Sequence, residues 1–434
     1  MLLNRQVPFR YHFKGALRVG SATIDHMISL IVFIAAIMIF IGVFSQPIQT
    51  AIVYESHRAL SIKTSDLLDT ILLNPGINAT WGIDGTIPTG FGLQDPEFTQ
   101  YQLSSFSTMR LCSSTGNLIE YDKTSPNIYY KNDTLGFGSS LITPVAEELN
   151  YSTTLSLLGI NNTYGFQFAL TPDITVSVKE NQAASPLTLS ITATGIGFPF
   201  ANAPINYCLL QVTMPQNETN YPSYTIQSAV VQTDQQGKAV LTFPSITDPN
   251  QVYAFIAYAH LDGVVGVGFR TRVSSFTDQS VVPLVEDIAS QKIALAHSYD
   301  LNNSASNGFS LKYNTTFVIM KQDYTLSELS LDSLNGVGSV GIVNSGVGNP
   351  YPTISLPACT TGIVIVTYQQ DGSTQGGIVM MPWGISSLAL PVTFGGNPAG
   401  QNWVTTDIRQ VTVSGITYQA KLSLWNSNEN SVAG

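Results

Sequence analysis

The chain has 434 residues, with 18 Lys and Arg against 28 Asp and Glu, and a formal net charge of −10. Only 11% of the residues are charged, so solubility rests on Ser, Thr, Asn and Gln, and the acidic balance excludes nucleic acid and anionic lipid as partners of the exposed part. Three cysteines, Cys112, Cys208 and Cys359, are too few for a disulfide scaffold and too far apart for a metal knuckle.

Arg5, Arg10, Lys14 and Arg18 come first, with no acidic residue before Asp25. Met27 to Phe44 is then an unbroken apolar run in which only Ser29 is polar. At 1.5 Å per residue the run spans about 27 Å, the thickness of a bilayer's hydrocarbon core. The basic flank holds the N-terminus in the cytoplasm and places the rest of the chain outside the cell. A cleaved secretory signal fits less well, because the run is long and Val43-Phe44-Ser45-Gln46 lacks a small-x-small site. The expected localisation is therefore the cell membrane, single-pass, with an extracellular ectodomain. Beyond the four leading basic residues, 14 Lys and Arg face all 28 Asp and Glu. In that oxidising exterior one disulfide and one leftover thiol are allowed, with the pairing open.

The helical pattern continues past Pro47, which starts a new segment or kinks the old one. Ile48, Ile52, Ala59, Ile62, Leu67, Leu68, Ile71 and Leu72 recur at three-to-four spacing, with Glu55, Arg58, Lys63, Asp66 and Asp69 on the other faces. Asn74-Pro75-Gly76 ends the helix. Such a stripe needs a cover: the protein's own head or a neighbouring copy. Seven N-x-[ST] sequons follow the membrane run, at Asn78, Asn132, Asn150, Asn161, Asn217, Asn302 and Asn314, and make N-glycans expected partners.

From about residue 167 the periodicity becomes two. Ile174, Val176 and Val178 alternate with Thr175 and Ser177, and Leu187, Leu189 and Ile191 with Thr188, Ser190 and Thr192. Val231 to Ala239 reads as a hairpin turn, and Val252 to Ala259 as a buried strand. Val282 to Ser290 reads as a short helix. Strand patterns return at Phe309 to Met320, Thr361 to Gln369 and Gly376 to Met381. A last hairpin joins Val411 to Val413 with Ile416 to Trp425 through Ser414-Gly415. The fold class is mainly β: an N-terminal transmembrane and stalk helix followed by β-sandwich domains.

The N-terminal segment resembles archaeal type IV pilin-like proteins. Arg18-Val19-Gly20 precedes Ser21-Ala22-Thr23-Ile24-Asp25, so cleavage after Gly20 places Asp25 fifth in the mature chain. The resemblance implies processing by a prepilin-type peptidase between Gly20 and Ser21. It also implies a role for Asp25 in neutralising the amino terminus of an adjacent subunit, so that self-association or other pilin-like subunits become expected partners. Two features depart from the pattern: Val19 stands where a charge is common, and the chain is long for a major pilin. The stretches Leu73 to Gly76, Trp81-Gly82, Phe91 to Leu93 and Tyr101 to Leu103 resemble the post-helix segment of archaeal surface proteins. There Trp81 is expected to pack in the core rather than to bind sugar. Thr233-Asp234-Gln235-Gln236-Gly237-Lys238-Ala239 resembles the hairpin of immunoglobulin-like modules of prokaryotic surface proteins.

The expected organisation is a leader (1–20), a transmembrane helix (21–46), a stalk helix (47–74) and a membrane-proximal segment (75–168). An immunoglobulin-like sandwich (169–275) and a C-terminal β-rich domain (276–434) follow. The last joins residues 95–165 if the sandwich is inserted, or follows serially if it is not.

Motifs for chemistry are weak. Gly336 to Gly341 fits GxGxxG, but Ile342-Val343-Asn344 does not continue as a phosphate-facing helix, so a glycine-rich loop is expected. Asp300, Asn302, Ser304 and Gly308 echo a calcium loop that lacks its twelfth-position Glu, where Leu311 stands. Only His260 and His297 lie in the β region, and neither HExxH nor GxSxG occurs. No catalytic residue, cofactor or metal is expected. The expected role is non-enzymatic adhesion or cell-envelope and filament structure. A binding module for carbohydrate or solute is the alternative, and an anchored hydrolase comes third.

Overall fold

The computed structural model describes residues 16–84, 86–98, 100–112, 149–160, 163–217, 219–272, 281–297, 310–329, 331, 339–344, 352–357, 361–401 and 403–427. The chain divides into two compact units, Met1–Ile62 and Lys63–Gly434. It is mainly β, with one long apolar helix at its N-terminal end.

Helix α1, Ala16–Leu72, runs 57 residues with Pro47 inside it. The helix runs on through Pro47 without starting a new segment there. Proline removes one donor from the ladder, and on either side of it Ser45 Oγ bonds to the Gly42 carbonyl at 3.2 Å and Thr50 Oγ1 to that of Gln46 at 2.9 Å. In the first unit the expected stripe is uncovered, with Ile48, Ile52 and Ile62 each more than half exposed.

In the second unit the last turns of α1 are buried at Leu67, Leu68, Ile71 and Leu72. Asn74 closes an Asx turn on Gly76 N at 2.8 Å. A one-turn helix, α2 (Trp81–Asp84), precedes a two-residue strand, β1 (Gln102–Leu103), and helices α3 (Ser105–Cys112) and α4 (Tyr151–Leu157). Trp81 is fully buried, and its indole N–H donates to the Pro75 and Gly92 carbonyls at 3.1 and 3.2 Å. The Arg110 guanidinium lies 5.0 Å from the centroid of its ring. Strand β2, Tyr164–Pro172, follows.

The sandwich comprises β3 (Ile174–Gln182), β4 (Leu187–Gly195), the short β5 (Phe198–Pro199), β6 (Pro204–Thr213), β7 (Ser223–Gln232), β8 (Lys238–Phe243), β9 (Tyr253–Leu261) and β10 (Val264–Arg272). In one sheet β4 pairs with β3, β5 and β8; the other has the order β10-β9-β6-β7. Alternating side chains of the two layers meet in one core that includes Leu189, Ile191, Leu209, Phe243 and Phe255. The turn at Thr233 to Ala239 forms as its composition dictates. Asp234 Oδ1 accepts from Gln236 N and Lys238 N, both at 2.8 Å, and Gly237 has φ +71°. It does not make a hairpin, however: among the described residues β7 pairs with β6 and β8 with β4, so the turn carries the chain from one layer to the other. Gly266 and Gly268 of β10 lie against β3, where a Cβ at Gly268 would stand 2.6 Å from the Val176 carbonyl oxygen.

After the sandwich come β11 (Val281–Asp287), β12 (Lys292–His297), β13 (Ser310–Met320), β14 (Leu326–Leu329), β15 (Val340–Asn344), β16 (Thr353–Ser355), β17 (Gly362–Gln370) and β18 (Gly376–Trp383). A 3-10 turn, Ile385–Leu388, leads to β19 (Val392–Gly395), β20 (Val404–Val413) and β21 (Ile416–Asn426). The short helix expected at Val282 to Ser290 is strand β11 followed by a turn. It is an edge strand of the sheet β11-β12-β16, and an edge is where a residue such as Pro283 fits. Strands β14, β13, β17 and β18 form another sheet, with β15 beside β14 on the same side of β13. A further sheet has the order β1-β20-β21-β2-β19, with β1 parallel to β20. Its β20–β21 hairpin turns through Ser414 and Gly415, both at positive φ. The chain therefore leaves this sheet at Pro172, builds the sandwich, and returns to it at Val392.

Candidate functional site

The most extended chemical feature is the surface of α1. Its large apolar side chains between Met27 and Phe44 are all at least 40% exposed, reaching 67% at Ile39. The helix has a mean hydropathy of 3.0 over its most apolar 18-residue window and is long enough to cross a bilayer. Gly20 and Ser21 lie on its first turns, and Asp25 is exposed one turn further on.

The sequons divide by environment. Asn132, Asn161 and Asn302 lie outside the described residues. Asn78 sits at φ +68° and its amide donates to Thr86 Oγ1 at 3.0 Å. Asn150 caps α4, its Oδ1 accepting from Thr153 N at 2.8 Å. Asn314 is half-buried within β13 and donates its Nδ2 to the Pro222 carbonyl at 3.1 Å. Asn217 is exposed on the β6–β7 loop.

His260 lies on β9 and His297 on β12, strands of different sheets. His260 stacks on Tyr324 with ring centroids 4.0 Å apart, and its Nε2 is 2.9 Å from Asn206 Oδ1. Partial burial lowers its pKa. Among the described residues no three His, Cys, Asp or Glu side chains are grouped to hold a metal. The calcium-loop echo and Gly336 to Gly338 lie outside the described residues, and Val340–Asn344 is a strand. Cys208 is a free, buried thiol 3.2 Å from Ser228 Oγ, its pKa raised by burial; Cys359 lies outside the described residues.

Clefts open among the described residues of the second unit, and two of them bear on function. One, of about 250 Å³, is lined by apolar Val267, Ile319, Ile363 and Ile416 and by the hydroxyl-bearing Tyr258 and Ser386. The other, of about 340 Å³, is polar and brings Asn217 together with Lys312, Gln369, Gln370, Ser373 and Thr374. Lys312 is buried and its Nζ meets Asp371 Oδ1 at 2.9 Å, which holds the Asp371 carboxyl below its usual range. Gln369 is 5% exposed and donates its Nε2 to the Pro215 carbonyl at 2.8 Å and to that of Ser373 at 2.5 Å. Its Oε1 is buried with no hydrogen-bond partner. Pattern reading missed this group because Asn217 and Gln369 are about 150 residues apart in the chain. The one local signal is Lys312, a charged residue between Leu311 and Tyr313 in a strand otherwise free of charge.

A second polar cluster ties the sandwich layers. Glu180 Oε2 accepts from the Tyr253 hydroxyl at 2.6 Å and pairs with Arg272 Nη2 at 2.7 Å and Arg270 Nε at 3.7 Å. Burial alone would raise the Glu180 pKa; the bonds from Tyr253 and Arg272 and the two positive charges outweigh it and lower the pKa.

No family model matches the chain, and no curated protein is similar to it. Among solved structures, red sea bream transglutaminase aligns over 52% of this chain and 32% of its own, at 10% identity and a TM-score of 0.17. The chain thus spans about a third of that protein's length. The D0-D1 domain of intimin aligns over 50% of this chain and 98% of its own, at 10% identity and a TM-score of 0.19. The calcium-bound pair of C2 domains of extended-synaptotagmin 2 aligns over 60% and 96%, at 10% identity and a TM-score of 0.09. Likenesses this slight carry no functional statement.

Proposed function

We propose that this protein is a non-enzymatic, single-pass surface glycoprotein of the cell membrane, with its N-terminus in the cytoplasm and its β-rich body outside. Its role is adhesion or cell-envelope and filament structure. The observation that supports this reading is the exposed apolar surface of α1 from Met27 to Phe44, followed in the chain by sheets with buried apolar cores of their own. Water disfavours that helix surface at roughly 25 cal/mol per Å², and a bilayer removes the cost. Gly20, Ser21 and Asp25 serve processing and assembly in the pilin-like form of the reading.

The test is alkaline carbonate extraction of membranes with protease protection, followed by mass spectrometry of the N-terminal residue. Retention in the membrane, with the body cleaved only from outside, is the expected result. Release by carbonate would overturn the anchor. A start at Ser21 would favour prepilin-type processing, whereas a start at Met1 would leave an uncleaved signal-anchor. A second reading, an anchored binding module for a carbohydrate or solute, draws on the polar cleft around Gln369.

A further inference from the structure

We infer that Asn217 carries an N-linked glycan whose first sugars lie in the polar cleft beside it, between the β6–β7 loop and the β17–β18 turn. The inference rests on the glycoprotein reading above and narrows it to one site and one occupant.

Three observations lead there. The first is access. N-glycosylation uses the Asn Nδ2 as nucleophile: Nδ2 loses a proton, its bond to the sugar C1 forms, and the C1–O bond to a diphosphate-ester carrier breaks, the phosphate leaving with the electron pair. Asn314 has its Nδ2 committed to the Pro222 carbonyl inside a strand, and Asn78 has its own committed to Thr86. Asn150 is exposed and caps a helix through its Oδ1, but it does not line the polar cleft. Asn217 is exposed on a loop, its side chain outside any strand or helix.

The second is the cleft. Around Asn217 the walls are amides and hydroxyls from Gln216, Gln370, Ser373 and Thr374. The buried cation of Lys312 is paired with Asp371, so that pair adds no net charge to a wall of amide and hydroxyl donors and acceptors. The third is Gln369. Its Nε2 clips the sequon loop to the β17–β18 turn through Pro215 and Ser373, while its Oε1 stays buried without a partner. That clip fixes the cleft wall beside Asn217, so a sugar attached there meets a preformed polar surface.

None of the residues that line the cleft is aromatic, so a free sugar would be held weakly. A glycan tethered at the rim differs, because attachment supplies an effective concentration in the millimolar range. That argues for the protein's own glycan rather than a free oligosaccharide as occupant.

The experiment uses the full chain in detergent, expressed in a host that glycosylates N-x-[ST] sequons. Glycopeptide mass spectrometry reads occupancy, and the rate of glycosidase release at Asn217 is compared between wild type and the Gln370→Ala/Thr374→Ala variant. Both substituted side chains lie on the rim, and a thermal melt checks that the variant is folded. The expected result is high occupancy at Asn217, none at Asn314, and release in the variant faster by about threefold or more, as the docked state is lost. Occupancy at other sequons with Asn217 unmodified overturns this inference and leaves the glycoprotein reading standing. No occupancy at any sequon overturns both. An occupied Asn217 released at equal rates in the two proteins overturns the docking.

Discussion

Replacing Glu180 with Gln keeps its shape and removes the charge that holds Tyr253, Arg270 and Arg272 together across the sandwich layers. The Glu180 and Arg272 side chains are only 17% and 12% exposed, so water replaces little of what is lost. Two short bonds to a charged acceptor are weakened, at 2.6 and 2.7 Å, each worth about 1.5–3 kcal/mol. The amide oxygen retains one of them in neutral form, and Arg272 keeps the Pro249 and Ala183 carbonyls. The net loss is about 2–3 kcal/mol, below the roughly 3–5 kcal/mol typical when a fully buried pair loses one member. Urea unfolding of the full chain in detergent, followed by the circular dichroism of the β strands, reads this as a fall in midpoint at unchanged slope. The pH dependence adds a second check. A lowered folded-state pKa means the stabilisation is complete above the ordinary glutamate value of about 4.3. It is lost as pH falls through the folded value. Wild type and variant should therefore converge in acid. A difference under about 0.5 kcal/mol at pH 7, or one that persists unchanged in acid, would refute this account of the cluster.

Gly237→Ala and Gly415→Ala strain similar backbones, at φ +71° and +86°, but only at Gly237 does the new Cβ meet backbone, 2.5 Å from the Ala193 carbonyl oxygen. Thermal melts should show Gly415→Ala costing about 1 kcal/mol and Gly237→Ala at least twice that; equal losses would argue against the close approach. Leu68→Ala should cost about 2–5 kcal/mol in urea unfolding, whereas Ile52→Ala in detergent should stay within about 0.5 kcal/mol. Arginine at both Ile34 and Met38 places two charges on the apolar run, each costing about 2.5–3.5 kcal/mol at a membrane centre. The expected outcome is loss of carbonate-resistant membrane association, with the midpoint of the β body unchanged.

Local chemistry was legible wherever it acts within a few residues. The apolar run shows as α1, and the alternation at Ile174 to Val178 and Leu187 to Ile191 shows as β3 and β4. Ser414-Gly415 makes the turn its composition demands. What failed was partner choice. Asp234 and Gly237 specify a turn, and nothing in seven residues says whether the flanking strands pair with each other or with distant ones. Val282 to Ser290 misled because Leu, Ile and Ala at helical spacing outweighed its β-branched residues, and an edge position tolerates a proline that argues against an interior strand. The stripe on α1 is one pattern in sequence and two environments in the structure, covered at Leu68 and open at Ile52. The polar cleft was invisible for the same reason as the layer crossing: its members meet only after the long-range sheets have formed.

The place of β2 sets the order of biosynthesis. This strand lies between β19 and β21, whose residues leave the ribosome about 220 to 250 positions later, a delay of tens of seconds at roughly 5–20 residues per second. Throughout that interval the apolar sides of Phe166, Phe168 and Leu170, buried at the end, have no neighbouring strand to pair with, while the sandwich already possesses every strand it needs. A truncation that removes β21 takes away one of the two strands that β2 pairs with, while every strand of the sandwich stays in place.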